Sequence, residues 1–385
     1  MERVSVARIP LRVLLVAPER HALRQPHAGG LEAVVWNRAR WLRSRGHEVV
    51  LCAAVGSDLL GPNPSLHLPS PRWTRAADAS DSEYPEGHRR AMAAAFARVA
   101  DHIARDGGID VVDNHSLHGA PVRWSRTLGI PVVTTLHTPP LPDMVVAAAA
   151  LSGAPHRFLA VSQYTAQAWS AEGIDAIVIP NGVDTDHWTA GAGGSDWVWS
   201  GRIVPEKAPH LAIRAACAAG ARIVLAGRIG DEGYFAREVR PLLGPDARYA
   251  GALRQPELNA LVGAAAVALV TPVWSEPFGL VLAEALATGT PVAAFDSGGI
   301  REVLSGMPGT AVVPAGDVVA LSRAASALAA AAGADIATRR AVRRAAEARY
   351  SLAHRQREVE RVLLHAASDA PHRGLAAEAV AQVGA

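Results

Sequence analysis

Short apolar runs recur along the chain, and longer stretches with a helical spacing of apolar residues separate them. The runs at 11–17, 48–54, 109–113, 131–136, 157–161 and 176–179 predict strands in the first half. Those at 197–201, 222–226, around Tyr249, 266–270 and 291–295 predict strands in the second. Such runs are apolar at nearly every position, as expected of strands covered on both faces in a parallel sheet. Between them, helical spacing predicts helices over 31–45, 85–106, from Ser162 as the capping residue, from about Pro209, over 234–243, from about Phe278 to just before Gly289, and over 352–365. Strands alternating with helices predict an α/β fold of doubly wound parallel sheets, with ligands at the carboxyl ends of the strands. One residue breaks the pattern: Arg38 stands where the spacing of Val35, Ala39 and Leu42 calls for a core leucine.

The alternation runs twice. It pauses at Pro180-Asn181-Gly182-Val183-Asp184, and the glycine-rich stretch 190–195 is the best linker candidate. The expected division is 1–189, 190–351 and a closing segment 352–385 whose helix is followed, beyond Ser368, by a fraying tail. The connection 56–86 is rich in Pro, Ser and Asp and has no period. A connection of that length in a compact domain often serves a ligand, and this one is expected to face an acceptor.

Composition narrows the class. A chain of 385 residues is long enough for two full cores. A net charge of +2 gives no bulk argument for nucleic acid, and no apolar run reaches the ~18 residues of a membrane span. The N-terminus lacks a charged-then-apolar leader, so the cytoplasm is the expected compartment. Cys52 and Cys217 fall in different halves and are expected to be reduced core residues. All but one of the 38 basic residues are arginine. The exception, Lys207, marks a place where a compact ammonium suits and a planar guanidinium does not.

The densest chemistry lies in Trp274-Ser275-Glu276-Pro277-Phe278-Gly279-Leu280, continuing to Glu284 and Gly289. It spells strand, loop, helix and strand. The helix N-terminus offers free N–H groups and a partial positive charge, a natural seat for a phosphate. Glu276 then lies on one side of that phosphate and Glu284 on the other. Without a ligand, Glu276 is simply a first-turn acid and Glu284 a surface residue. Gly201-Arg202 and Glu206-Lys207 occupy a second strand-to-helix loop, where Arg202 and Lys207 can converge on a diphosphate. Gly29-Gly30 form a third such turn, where small residues let the backbone approach a ligand. His137 ends a strand, and His115 and His118 follow another. His137 has no neighbours at metal-ligand spacing, and no metal and no cofactor are expected. Asp184-Thr185-Asp186 follows an Asn-Gly turn rather than a cleft-facing strand and is set aside as a metal motif. Trp36, Arg40 and Arg43 share one side of a helix; contact with a membrane surface is possible there, but a solvated face is favoured.

Glu276 and Glu284, with Pro277-Phe278-Gly279-Leu280 between them and Gly-Thr-Pro-Val after, resemble the paired-glutamate signature of retaining glycosyltransferases with the GT-B fold, family four, group 1 type. The resemblance covers most of the chain and is sharpest over 200–302. It implies two Rossmann-like domains facing across a cleft, the first on the acceptor side and the second binding a nucleotide diphosphate sugar, with UDP favoured over GDP or ADP. It implies transfer of a hexose to a hydroxyl of a small molecule or glycan. By resemblance Glu276 lies by the donor sugar, Glu284 binds the ribose hydroxyls, Arg202 and Lys207 meet the diphosphate, His137 lies by the sugar and Gly29-Gly30 face the diphosphate. The final helix is implied to cross back onto the first domain. The rivals are a sugar-nucleotide epimerase or hydrolase of the same fold and a non-catalytic sugar-nucleotide-binding module. A pyridoxal-phosphate phosphorylase would need a Schiff-base lysine, and Lys207 is already assigned.

Overall fold

The apolar runs become strands of two parallel sheets in the computed structural model, which describes residues 10–74, 84–106, 108–332 and 335–369. The first sheet comprises β1 (Arg12–Val16), β2 (Glu48–Ala54), β3 (His67–Leu68), β4 (Val111–Asn114), β5 (Val132–Leu136), β6 (His156–Ala160) and β7 (Ile177–Val178), in the order β3-β2-β1-β4-β5-β6-β7. The second comprises β8 (Trp197–Ser200), β9 (Ile223–Ala226), β10 (Ala247–Tyr249), β11 (Val267–Val270), β12 (Val292–Asp296) and β13 (Thr310–Pro314), in the order β10-β9-β8-β11-β12-β13. In each sheet the order reverses beside the first strand, and that switch point opens a crevice at the strands' carboxyl ends. Both crevices face one cleft.

Helices cover both faces of both sheets. The first sheet carries α1 (Gly30–Ser44), α2 (His88–Asp106), α3 (Gly119–Thr127), α4 (Pro142–Ala149) and α5 (Gln163–Ser170). The second carries α6 (Pro209–Ala218), α7 (Glu232–Tyr234), α8 (Gln255–Gly263), α9 (Leu280–Ala287), α10 (Ile300–Leu304), α11 (Val318–Ala332) and α12 (Ile336–Tyr350). The last helix, α13 (Leu352–Ser368), packs back on α1, β4 and β5. Its start is pinned where the chain passes between the halves: Val183 N–H donates to Tyr350 O at 2.8 Å and Leu352 N–H donates to Val183 O at 2.9 Å. Residues beyond 369 lie outside the described residues.

Four details correct or extend the sequence reading. Arg38 is buried in its core position, because its guanidinium meets the fully buried Asp113 at 3.1 Å and hydrogen-bonds Gln356 of α13. The expected helix over 234–243 is a broken coil of α7, a π turn at Phe235–Val239 and a 3-10 turn at Arg240–Leu242, where Pro241 withholds an N–H. Cys217 is exposed on α6, so only Cys52 is a core thiol. The stretch 190–195 is packed rather than loose: Gly191 N–H donates to Thr288 O and Gly193 N–H to Gly263 O. A side chain at Gly191 would collide with the backbone of Gly263. The connection 56–86 lies partly outside the described residues; its described portion adds β3 and a 3-10 turn at Pro64–Leu66.

Candidate active site

A cavity of about 600 Å³ fills the cleft between the sheets. Gly29, Gly30 and His137 line it from the first sheet; Arg202, Lys207, Glu276, Pro277, Phe278, Gly279, Leu280 and Glu284 line it from the second. The fold therefore brings these residues to one place, while His115 and His118 do not line it. Local geometry explains how. Gly279 adopts φ +76 and turns the chain into α9, whose first residues Leu280 and Val281 line the cavity and have no hydrogen-bond partner for their N–H groups among the described residues, while the Leu282 N–H donates to Gly279 O. Glu276 is buried at the lip of this turn. It forms an ion pair with Lys207 and accepts a hydrogen bond from Trp274 Nε1 at 2.9 Å, while the Lys207 ammonium sits 5.0 Å above the Trp274 ring. Gly299 N–H donates to Glu276 O at 2.7 Å, and Gly298, at φ +63, packs so closely that an added Cβ would lie 2.5 Å from Glu276 N.

The first sheet also grips this loop. Ser162, which caps α5 as expected, donates its hydroxyl to Pro277 O at 2.6 Å. Glu302 of α10 in turn accepts the N–H groups of Gln163 and Tyr164 at 2.9 and 3.0 Å. Arg202 reaches across the cleft: its Cδ lies 3.4 Å from where a Cβ on Gly29 would stand, an ordinary contact, and Glu32 Oε2 would lie 3.0 Å from the same point. Glu284 projects from α9 with its carboxyl desolvated. Burial raises it to about 7, and no cation among the described residues offsets this.

His137 follows β5 and His115 follows the neighbouring strand β4, so both lie at the carboxyl ends of paired strands. His115 Nδ1 and His137 Nε2 are 2.8 Å apart. Asp113, two residues before His115 on the same strand face, places Oδ1 3.1 Å from His115 Nε2 and Oδ2 3.1 Å from Arg38. Neither Asp113 Oδ1 nor His115 Nε2 has a hydrogen-bond partner among the described residues, so this contact is a close electrostatic approach. Burial, then the nearby His115 and Arg38, hold His137 well below the usual histidine range, so it is neutral. Burial opposes ionisation of Asp113, but His115 and Arg38 outweigh it and hold its carboxyl below its ordinary value. His118 is structural: its Nδ1 accepts the Ala120 N–H at 3.0 Å and caps α3.

The chain is similar to known proteins. Residues 28–187 match the sequence family described as Glycosyltransferase Family 4, and residues 194–331 match Glycosyl transferases group 1. A D-inositol 3-phosphate glycosyltransferase of Geodermatophilus obscurus is 30% identical over 364 residues, covering 79% of each chain. The chain belongs to glycosyltransferase family 4. A phosphatidyl-myo-inositol mannosyltransferase of Mycobacterium leprae is 28% identical over 328 residues, 78% of this chain and 83% of that one. The crystal structure of Anabaena HepE with UDP-glucose superposes at a TM-score of 0.68 and 19% identity, over 92% of this chain and 99% of that one. The fold of this glycosyltransferase is thus GT-B, as the paired glutamates implied.

Several features of the glycosyltransferase site were invisible in the sequence. The Arg38–Asp113–His115–His137 chain joins residues up to 99 positions apart; its outward sign was a charge at a core position. The grip of Ser162 on Pro277 spans 115 positions. Asp184 and Asp186 are accounted for locally: Asp184 accepts the Asp186 N–H at 3.1 Å and pairs with His187 at 2.7 Å. Among the described residues, no group of three or more His, Cys, Asp or Glu side chains is arranged to hold a metal ion. Trp36 donates to Asp58 at 3.1 Å, Arg40 stacks 4.6 Å from its ring and Arg43 donates to the carbonyls of Val49 and Leu59. These contacts tie that helix side to the protein's own loop. No single helix among the described residues is long and apolar enough to cross a membrane.

Proposed function

We propose that this glycosyltransferase moves a hexose from a nucleotide diphosphate sugar to a hydroxyl acceptor with retention at the anomeric carbon. The observation that carries this reading is the convergence of an acid without a cation, two basic side chains and an open helix N-terminus on one cavity. The diphosphate lies against the N-terminus of α9, with Arg202 and Lys207 over it. The ribose hydroxyls donate to Glu284, which gives its desolvated carboxyl the partners it lacks. Glu276 and His137 flank the sugar, and Gly29-Gly30 face the diphosphate.

The bond from the anomeric carbon to the β-phosphate oxygen breaks, and its electron pair stays on the phosphate. The acceptor oxygen bonds the same face of the sugar, and its proton passes to the departing phosphate. Arg202, Lys207 and the helix N-terminus stabilise the charge that develops there, without a metal ion. A UDP-sugar is favoured over GDP- or ADP-sugars, in keeping with the UDP-glucose held by HepE. Polyol hydroxyls are suitable acceptors, since two relatives are named for inositol substrates. Residues 1–189 form the acceptor-side domain, 190–351 the nucleotide-sugar domain and 352–385 the return helix and tail, and the enzyme works in the cytoplasm.

The test is thermal stabilisation by UDP-, GDP- and ADP-sugars, followed by product mass with myo-inositol, inositol phosphate and simple glycosides. Stabilisation by UDP-sugars and a product heavier by one hexose are expected. Nucleotide release at the same rate with and without acceptor would favour the hydrolase reading instead.

A further inference from the structure

Glu32 stands in the first turn of α1, just after the Gly29 N-cap. An acid there commonly faces water beside the helix dipole or reaches back to the N-cap N–H. Glu32 does neither. It is only 6% exposed, and among the described residues its carboxylate makes no hydrogen bond and no ion pair. Neither of its oxygens is a sealed-off atom, and the residue lines the cleft cavity. Two glycines set its surroundings. The place of the Cβ that Gly29 lacks lies 3.0 Å from Glu32 Oε2 and 3.5 Å from Arg202 Nε, so the carboxylate and the guanidinium are near neighbours that do not pair. A Cβ on Gly30 would stand 3.5 Å from Leu280 Cβ, so the N-termini of α1 and α9 meet across the cleft. Glu32 thus faces the reacting end of the cavity from the first domain.

A desolvated carboxylate without a donor is destabilising, and an incoming O–H group removes that penalty. The diphosphate cannot be the partner, because like charges repel; Arg202, Lys207 and α9 hold it on the second domain. We propose that Glu32 is an acceptor-binding residue: it takes the hydrogen of an acceptor hydroxyl beside the one that reacts, so the acceptor carries at least two neighbouring hydroxyls. The reacting hydroxyl must pass its own proton to the departing phosphate. Glu32 therefore holds its neighbour and leaves the reacting oxygen free to turn toward the anomeric carbon. This role rests on the transferase reading and deepens it, from a hydroxyl acceptor to a vicinal diol or polyol recognised through one carboxylate.

The test compares wild type with Glu32→Gln, which keeps the shape and removes the charge. Transfer is followed from the nucleotide sugar that wild type uses to the best acceptor among myo-inositol and methyl glycosides, and to the monodeoxy analogues of that acceptor. Glu32→Gln is expected to lower kcat/KM for the parent acceptor by about tenfold to a hundredfold, as for one lost hydrogen bond to a charged group, with UDP affinity by calorimetry unchanged. One monodeoxy analogue is expected to be poor with wild type and to lose nothing further in Glu32→Gln, because the hydroxyl that Glu32 holds is already missing. Equal losses for the parent and every analogue would overturn the assignment. So would an unchanged acceptor kcat/KM, which together with a lower Tm would make Glu32 a helix-dipole acid. Should Glu32→Gln not fold, Glu32→Asp, whose carboxylate is drawn back from the cavity, carries the same expectations. Wild type that transfers to no acceptor would refute the transferase reading itself, a result distinct from an active wild type with an indifferent variant.

Discussion

Replacing Glu284 by glutamine separates the binding role of this side chain from its structural role. Burial raises its carboxyl from an ordinary value of 4.5 to about 7. A carboxyl shifted upward costs nothing at acid pH, where it is protonated in both folded and unfolded chains. The cost opens above pH 4.5 and is complete above about 7. At about 1.4 kcal/mol per pH unit, that span amounts to at most about 3.5 kcal/mol. Glu284 keeps part of its surface open to the cleft, so water screens it, and about 1–2 kcal/mol is the expected remainder. Glu284→Gln removes the charge and keeps the shape. It is expected to raise the Tm of the ligand-free protein by about 2–8 °C at pH 8, and to change it far less near pH 4.5. Thermal unfolding of both proteins at the two pH values checks this. An equal loss of stability at both would show that the carboxyl is satisfied in the free protein, and would refute the argument that it is held in readiness for a ligand.

Three further outcomes follow from the same geometry. Lys207→Arg is expected to fold normally by circular dichroism but lose turnover, up to the ~10²–10³ typical of one lost charge-stabilising group, because the guanidinium does not fit between Glu276 and the Trp274 ring. Near wild-type rates would make the lone lysine an accident of composition. Gly298→Ala should displace the Glu276 loop, since the new Cβ would stand 2.5 Å from Glu276 N at a φ of +63. A loss of about 1–3 kcal/mol in stability, with a larger fall in kcat than in nucleotide affinity, is expected from denaturation and steady-state kinetics. Turnover should survive chelation of divalent cations; loss on chelation with recovery in Mg²⁺ would return Asp184 and Asp186 to consideration.

The sheets were legible because parallel strands buried on both faces leave nearly unbroken apolar runs, as in β1, β9 and β11. The strand β13 was not, since its residues are only half-buried and it ends on an exposed proline. Glu276 and Glu284 stood out because strand, loop and helix bring both to one end of one helix, within a single stretch of sequence. The partners that give the site its electrostatics lie far off in the chain. Lys207 was marked by composition, yet its pairing with Glu276 spans 69 positions and follows only from the neighbouring ends of β8 and β11. Arg38 was visible as an anomaly. Its reason, Asp113 on one side and Gln356 on the other, depends on α13 folding back onto the first sheet. The π turn after α7 had no sequence signal beyond Pro241.

The central claim is that the nucleotide sits on α9 with its ribose on Glu284, and calorimetric titration with UDP tests it most directly. Hydrogen bonds to a charged acceptor contribute about 1.5–3 kcal/mol each. Glu284→Ala is therefore expected to weaken UDP binding more than tenfold at pH 8, with the fold intact by circular dichroism. UDP affinity unchanged in that variant would contradict the account.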